Sequence, residues 1–319
     1  MNNKLAQYLS AATRNNTRRS YQSAVRHFEE EWGGFLPATA DSMARYLADY
    51  ADKLAISTLK QRLAALAQWH IDQGFPDPTK APVVRKVLKG IQALHPAQEQ
   101  QAKPLQIDHL MQVVDWLDQA IVQARQHQAV GTELRHTRDK ALLLLGFWRG
   151  FRGDELVHLQ VENIESVPGQ GMRCFLPQSK GDRKLQGRSY KVPALATLCP
   201  VTAYHDWISL SELTKGPVFR SIDRWGNINQ AGLHINSLLK LMRNLFTRAG
   251  LDTPETFSSH SLRRGFAGWA NANGWDVKTL MEYVGWKDIK SAMRYIDAAD
   301  PFAGQHIKND LLTPPNQSL

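Results

Sequence analysis

The first hundred residues repeat apolar side chains at spacings of three and four, which restricts this part of the chain to a helical bundle. Four segments share the pattern, namely TRRSYQSAVRHFEEEW, ADSMARYLADYADKL, ISTLKQRLAALAQWHIDQG and PVVRKVLKGIQAL. Their residues predicted to face the core are Tyr21, Val25, Phe28, Trp32, Met43, Tyr46, Leu47, Tyr50, Leu59, Leu63, Leu66, Val84, Val87, Leu88, Ile91 and Leu94. Because each segment is amphipathic, together they predict a compact bundle of helices.

Local signals mark the ends of these helices. Asn16 or Thr17 is the candidate N-cap of the first helix, since short polar side chains accept hydrogen bonds from free N–H groups there. Gly74 is predicted to stop the third helix, and Pro82 to begin the fourth.

The outer faces of the predicted helices are basic. Residues 1–100 carry 13 basic and 9 acidic side chains, and the whole chain has a formal net charge of +9. A solvated helix face explains any one basic cluster, but the recurrence of basic clusters on three helices favours contact with DNA. The candidate DNA contacts are Arg18, Arg19, Lys60, Gln61, Arg62, Arg85, Lys86 and Lys89.

Several classes of protein are disfavoured by composition. Cys174 and Cys199 are the only cysteines, too few for a disulfide framework or a metal-ligand cluster. The N-terminal stretch lacks the apolar core of a signal peptide, and the longest apolar run, ALLLLGFW, is too short to span a membrane. We therefore expect a cytoplasmic protein that uses no metal or other cofactor.

A polar, proline-bounded stretch, HPAQEQQAKPLQ, predicts an interdomain linker. We place the linker at residues 96–106, between a helical domain at 1–95 and a longer domain at 107–319. The second domain is predicted to be mostly helical. Its residues 171–177 and 187–193 read as two short strands joined by a charged turn. The expected fold is therefore mainly α, with a small antiparallel sheet in an α+β second domain.

Two turns of the second domain place cations where a phosphate could bind. Arg152 lies in the glycine-flanked turn RGFRGDEL, with Asp154 as a candidate helix cap and Glu155 in the first turn. Lys180 lies at the tip of the predicted hairpin, where a mobile ammonium could give a proton to a leaving oxygen, and Lys184 is a competing candidate. Taken alone, either cation is better explained as an ordinary surface residue.

The stretch from residue 260 to residue 297 holds the other candidates. His260 and Arg263 are one helical turn apart and could clamp one phosphate. Arg264 is predicted to point to another face and to contact backbone or an ion-pair partner. Trp286 offers one indole N–H donor, and Tyr295 a phenol that could attack phosphorus. Ordinary core packing would explain each aromatic residue taken singly.

The order of these elements carries more information than any one of them. An arginine in GFRGDEL, a hairpin lysine, His-x-x-Arg, and a tryptophan nine residues before a tyrosine resemble the tyrosine recombinase (phage integrase) family. The resemblance runs from about residue 106 to the end. The helical front half is similar to the SAM-like core-binding domain of the same family. Many members have histidine where Trp286 stands, and tryptophan there resembles the two-domain, Cre-like members.

The resemblance implies a role for each of seven site residues. They are the phosphate clamp Arg152 and Arg263, the general acid Lys180, the acid/base assistant His260, the hydrogen-bond donor Trp286, the supporting carboxylate Glu155 and the nucleophile Tyr295. The implied reaction is site-specific DNA recombination through a 3′-phosphotyrosine and a Holliday junction.

The implied partner is double-stranded DNA with an inverted-repeat recombination site, bound by a homotetramer with one dimer per site. We expect the segment after Tyr295 to dock on the adjacent protomer through Ile307, Leu311 and Leu312. Because the chain starts directly with the core-binding helices, a simple two-domain enzyme is expected.

Other functions stay open at this point. A type IB topoisomerase would share the nucleophile and the clamp, and a non-catalytic DNA-binding regulator would share the fold. Within recombinases, the residues do not distinguish resolution, integration or excision, and inversion, nor whether an accessory protein is needed.

Overall fold

The computed structural model describes residues 4, 7–8, 12–13, 15–96, 101–167, 170–178 and 186–296. Lys180, Lys184, Ile307, Leu311 and Leu312 lie outside the described residues. The chain divides into two compact units, Met1–Gln100 and Gln101–Leu319.

The first unit is a helical bundle. Its α-helices are α1 (Asn15–Arg26), α2 (Ala40–Asp49), α3 (Ile56–Asp72) and α4 (Pro82–Leu94), with a π-helical turn at His27–Glu31 and a 3₁₀ turn at Pro78–Lys80. The core of the bundle contains Phe28, Met43, Tyr46, Leu47, Leu59, Leu63, Leu66, Val84 and Ile91. All of these were predicted from periodicity to face inward. Leu94 was predicted wrongly, because it ends α4 with 80% of its surface exposed.

The helix starts agree less well with the sequence signals. Asn16 and Thr17 lie inside α1, which already includes Asn15, so neither is its N-cap. Pro82 does begin α4, as its fixed φ angle and missing N–H predict.

The second unit is built around one buried helix. Its α-helices are α5 (Ile107–Gln126), α6 (Val130–Arg149), α7 (Gly153–Val157), α8 (Pro200–Ser211), α9 (Ile235–Arg248), α10 (Ser259–Ala272), α11 (Val277–Val284) and α12 (Ile289–Ile296). Short 3₁₀ turns occur at Val161–Asn163 and Pro254–Thr256. Every residue of 141–149 in α6 is buried, and α5, α8 and α10 pack around this helix. The mainly α prediction is confirmed.

A three-stranded antiparallel sheet contains the predicted hairpin. Strands β2 (Gly171–Leu176) and β3 (Arg188–Pro193) pair with Cys174 opposite Tyr190. The bounds of both strands are close to those predicted. The edge strand β1 (Ile164–Val167) and a separate hairpin of β4 (Arg220–Ile222) and β5 (Ile228–Gly232) were not predicted from the sequence. These strands are short and largely unburied, so they lack the apolar alternation that identifies a strand.

Residues 101–106, which we call the strap, lie against the second unit although the sequence placed them in the linker. The N–H of Lys103 donates to the carbonyl of Thr256 at 3.1 Å, and that of Leu105 donates to Ser261 at 3.0 Å. Leu105 is fully buried. Gly265 permits this approach, because a Cβ atom there would lie 1.8 Å from the carbonyl oxygen of Leu105.

Within the described ranges, no helix combines the length and apolarity needed to cross a bilayer.

Candidate active site

The first part of the site is the junction between α6 and α7. Helix α6 ends at Arg149, and its C-cap is Gly150, whose φ of +59° suits a residue without a side chain. Arg152 is the N-cap residue of α7, and the buried Glu155 carboxylate accepts hydrogen bonds from its backbone N–H at 2.8 Å and its Nη1 at 2.7 Å. The predicted cap Asp154 was wrong. Its side chain is half exposed and faces His158 instead, because Glu155 reaches back to the helix start.

Arg263 lies beneath this junction on α10 and is fully buried. Its Nη1 donates to the carbonyl of Gly150 at 2.7 Å and lies 3.8 Å from a carboxylate oxygen of Glu155. Its Nη2 reaches the carbonyl of Val284 at 3.4 Å. Desolvation, reinforced by the charge of Arg152, lowers the pKa of Arg263 to about 10. The guanidinium nevertheless stays charged at neutral pH.

His260 stands one turn before Arg263 and is exposed. Ser258 caps this helix by accepting the N–H of His260 at 3.2 Å, while the Ser261 hydroxyl accepts the N–H of Ser258 at 2.9 Å. The cap fixes the first turn, and the Nδ1 of His260 lies 3.1 Å from the hydroxyl of Tyr295. One ring nitrogen is therefore placed to exchange a proton with the phenol.

Trp286 follows the glycine that ends α11. Gly285 has a φ of +81° and donates its N–H to the carbonyl of Met281 at 2.8 Å, which closes the end of the helix. The Trp286 ring is nearly buried and lies 5.0 Å from the guanidinium carbon of Arg263. Its Nε1 is buried and has no hydrogen-bond partner in the described part of the chain. A buried donor without an acceptor is uncommon, and it suits a ligand that brings one.

Tyr295 lies on the short helix α12 and is half-buried. Its ring is 5.1 Å from the Trp286 ring, and its face lies 5.7 Å and 5.6 Å from the guanidinium carbons of Arg263 and Arg264. The phenol therefore lies between the imidazole of His260 and the guanidinium groups of Arg263 and Arg264.

The structure brings together six of the seven predicted site residues. They are Arg152, Glu155, His260, Arg263, Trp286 and Tyr295, joined by the contacts given above. Lys180 lies outside the described residues. The assembled groups are two cations that can hold an anion, an indole donor, and a phenol beside a titratable imidazole. This set fits nucleophilic attack on a phosphodiester.

Two further arginines lie near the site and were not predicted from the sequence. Arg149 is buried, with its guanidinium carbon 4.6 Å from the Tyr190 ring and 4.1 Å from the Tyr283 ring. Arg188 on β3 donates from Nη2 to the carbonyl of Glu282 at 2.8 Å. The one available signal was that Arg149 directly follows the apolar run ALLLLGFW.

Arg264 has the backbone role that was predicted for it. It donates to the carbonyl oxygens of Ala102 at 3.3 Å and Arg294 at 2.8 Å.

The candidate DNA contacts of the first unit fall into two groups. Gln61 donates from Nε2 to the hydroxyl of Ser20 at 2.7 Å, and Arg62 donates from Nη1 to the hydroxyl of Tyr46 at 3.1 Å, so both stabilise the bundle. Arg18 is half-buried and donates from Nη2 to the carbonyl of Thr13. The exposed members of the set are Arg19, Lys60, Arg85, Lys86 and Lys89.

Comparisons with known proteins agree with this geometry. The profile of the phage integrase family matches residues 106–301. An integrase/recombinase XerD homologue of Selenomonas ruminantium is 32% identical over 272 residues, which cover 84% of this chain and 76% of the relative. The chain therefore belongs to the phage integrase family, the family of tyrosine recombinases. Tyrosine recombinase XerD of Staphylococcus aureus is 28% identical over 160 residues, which span 50% of this chain and 49% of that protein.

Solved structures show the same fold at lower identity. The XerH site-specific recombinase in a post-cleavage complex with palindromic difH substrate aligns with a TM-score of 0.61 at 19% identity, covering 92% of this chain and 78% of that chain. A lambda integrase dimer bound to a COC' core site aligns with a TM-score of 0.56 at 15% identity, covering 93% and 76%.

Proposed function

We propose that this protein is a site-specific DNA recombinase that cuts and rejoins DNA through a 3′-phosphotyrosine. One observation carries the proposal. The phenol of Tyr295 lies 3.1 Å from an imidazole nitrogen of His260, above the buried cation Arg263. A nucleophile, a proton acceptor and a phosphate-binding charge thus meet at one point.

The chemistry follows from the charge of the substrate. A phosphodiester gains charge on its non-bridging oxygens as a nucleophile approaches. Arg152 and Arg263 meet that charge with guanidinium groups, and Trp286 meets it with an indole N–H that has no other partner among the described residues. A single preorganised donor of this kind changes the rate by about 10²–10³-fold.

Proton transfers complete the step. His260 accepts the phenolic proton while the Tyr295 oxygen forms a bond to phosphorus and the bond to the 5′ oxygen breaks. Lys180 is our candidate for protonating that leaving oxygen, a contribution of about 10²–10⁴-fold. The phosphotyrosine conserves the energy of the broken bond. A 5′-hydroxyl of another strand can therefore reverse the attack without ATP.

Burial of Arg263 sets a condition on substrate binding. Its guanidinium lies under the rings of Trp286 and Tyr295 and donates to the carbonyls of Gly150 and Val284. A phosphate can reach this cation only if the two rings shift. We therefore propose that the Tyr295 side chain turns towards the scissile phosphate as the site closes around DNA, while the backbone of α12 keeps its place.

The DNA partner is supported by charge and by exposed polar surface. Helix α9 presents Asn236, Lys240 and Asn244 to solvent at a spacing of four residues. Amide and ammonium groups are the donors that read base edges in a major groove. We propose that α9 contacts bases, and that the first unit grips the backbone through its exposed lysines and arginines.

Assembly is proposed on the same basis. The XerH and lambda integrase structures described above are complexes with recombination-site DNA, and the latter is a dimer. We propose that this protein binds an inverted-repeat site as a dimer and joins two sites as a tetramer. The segment after Tyr295 is our candidate for the part exchanged between protomers.

The test is covalent capture of DNA. The full chain is incubated with a random-sequence duplex library that carries nicks, denatured, and filtered for DNA that stays bound to protein. The wild-type protein is expected to retain DNA with a shared inverted-repeat sequence, and Tyr295→Phe to retain none. Sequence-independent capture with relaxation of supercoils would instead assign a topoisomerase. Binding of DNA without any adduct would refute the enzyme assignment.

A further inference from the structure

A buried arginine beside the site bridges two distant backbone segments. Arg264 follows Arg263 on α10 and keeps only 6% of its surface exposed. Its Nη2 donates to the carbonyl oxygen of Arg294 at 2.8 Å, and its Nη1 donates to that of Ala102 at 3.3 Å. Its acceptors are separated from it by 30 and 162 residues in the sequence. The guanidinium therefore joins parts of the chain that covalent structure leaves independent.

One acceptor belongs to the residue directly before the nucleophile. Arg294 and Tyr295 lie in the last turn of α12, whose final carbonyls have no partner within the helix. Donation from Arg264 fixes one of these carbonyls. It also places the Arg264 charge 5.6 Å from the Tyr295 ring. The position of the phenol thus depends on this contact as well as on its hydrogen bond to His260.

The other acceptor belongs to the strap, which is firmly held. Lys103 and Leu105 donate their N–H groups to residues 256 and 261, and Gly265 admits the Leu105 carbonyl at a distance that no side chain allows. The carbonyl of Ala102 is therefore a fixed point on the surface of α10. Arg264 ties the nucleophile helix to that fixed point.

The chemistry of the side chain suits this task. A guanidinium is planar and carries donors on separate nitrogens, so it can bind two carbonyls in different directions at once. A lysine has one ammonium nitrogen on a flexible stem and cannot span both acceptors in the same geometry. Burial of the charge is unfavourable unless it is hydrogen-bonded, so the two carbonyls also explain why arginine is tolerated here.

We propose that Arg264 is a positioning residue for the nucleophile, which it places by clamping the Arg294 carbonyl to the strap. This proposal rests on the proposed function of Tyr295. Arg264 contributes to cleavage through the location of the phenol, while Arg152 and Arg263 bind the phosphate. Because a displacement of about 1 Å at a reacting atom can slow a reaction about 10²-fold, loss of the clamp is expected to reduce the cleavage rate strongly.

Two variants separate the clamp from the charge. Arg264→Lys keeps a cation near the Tyr295 ring but cannot bridge both carbonyls. Arg264→Met keeps much of the side-chain length and removes the charge. If the clamp matters, both variants cleave about 10²-fold more slowly than the wild type at saturating DNA, with the dissociation constant for DNA changed less than about threefold. If Arg264→Lys cleaves at the wild-type rate, the clamp is refuted.

A matched control distinguishes a loss of positioning from a general loss of stability. Arg138 is as buried as Arg264 and donates from Nη1 to the carbonyl of Arg220 at 3.0 Å, with its other donors on Asp139. Arg138→Lys is expected to melt at a lower temperature but to cleave at the wild-type rate per folded molecule. If it slows cleavage as much as Arg264→Lys does, the effect is merely structural and the proposal fails.

The readout is single-turnover formation of the covalent adduct on a site recovered from the capture experiment. A second substrate carries sulfur in place of the bridging 5′ oxygen, so its leaving group needs no proton. This substrate is expected to leave the Arg264→Lys defect unchanged, because the phenol is still misplaced. Full rescue by sulfur would assign Arg264 to leaving-group protonation and overturn the proposal. If the wild-type protein forms no adduct at all, the proposed function fails first, before Arg264 is tested.

Discussion

Replacing Glu155 by glutamine should destabilise the second unit far more than its small chemical change suggests. The carboxylate is 3% exposed and accepts two hydrogen bonds from Arg152. It also lies 3.8 Å from Nη1 of the fully buried Arg263. Glutamine preserves the volume but removes the negative charge, and its amide donors face guanidinium donors. The two arginines then repel each other without compensation.

The size of the effect follows from the burial of the pair. Removing one partner of a buried ion pair costs about 3–5 kcal/mol. The lower end applies here, because the Arg152 side chain keeps 23% of its surface in solvent. At about 2–4 °C per kcal/mol for a unit of roughly 200 residues, a loss of about 3 kcal/mol lowers the melting temperature by about 6–12 °C.

The assay is thermal melting of the full chain, with Asp154→Asn as the matched control. Asp154 is the neighbouring carboxylate in the same helical turn, but half of its side chain is exposed and its partner is His158 at 3.6 Å. Its replacement should change stability by less than about 0.5 kcal/mol. If Glu155→Gln melts within about 2 °C of the wild type, Glu155 does not hold the two arginines together as inferred.

Two further predictions concern the indole donor and a buried histidine. Trp286→Phe removes an N–H that has no partner in the described part of the chain, so cleavage should slow about 10²–10³-fold while DNA affinity is retained. Trp286→His, which keeps a donor, should slow cleavage less, and equal rates for the two variants would contradict the role of the N–H. In the first unit, burial and then the charge of Arg62 lower the pKa of His27 below its usual 6.5. The unfolded chain therefore takes up a proton first, and stability present above pH 6.5 is lost as the pH falls towards the folded-state pKa, by at most about 1.4 kcal/mol per pH unit. Measured by urea unfolding, the free energy of unfolding of His27→Gln should fall less steeply over that pH range than that of the wild type. An unchanged dependence on pH would show that His27 is not its source.

The predictability of this fold differs from element to element for physical reasons. The bundle helices could be predicted because their apolar residues repeat at the helical period and are in fact buried, as with Met43 and Leu59. The start of α1 could not, because several polar residues compete to cap it and Asn15 is already helical. Strands β4 and β5 are stabilised by contacts such as that of Arg138 with Arg220, which leave no pattern in the local sequence.

The residues that form the site could be predicted, but their arrangement could not. The order and spacing of Arg152, Arg263 and Tyr295 resemble the tyrosine recombinase family, and that resemblance implied which residues meet. Sequence spacing does not show how deeply a side chain is buried, and from spacing alone His260 and Arg263 were expected to be equal partners in one phosphate clamp. The structure exposes the first and buries the second beneath two aromatic rings. The bridge from Arg264 to the strap depends on a fold-level contact over 162 residues, which no local pattern contains.

The arrangement explains how one site can be stable and still ready for a phosphate. Glu155 and the carbonyls of Gly150 and Val284 satisfy part of the hydrogen-bonding capacity of the arginines, which keeps the cations in place. Nε of Arg263 and Nε1 of Trp286 remain buried without acceptors among the described residues. Unsatisfied buried donors are costly, and a phosphodiester supplies the oxygens that would satisfy them. The transition state, in which charge has developed on those oxygens, therefore completes most strongly the hydrogen-bond network that the protein leaves incomplete.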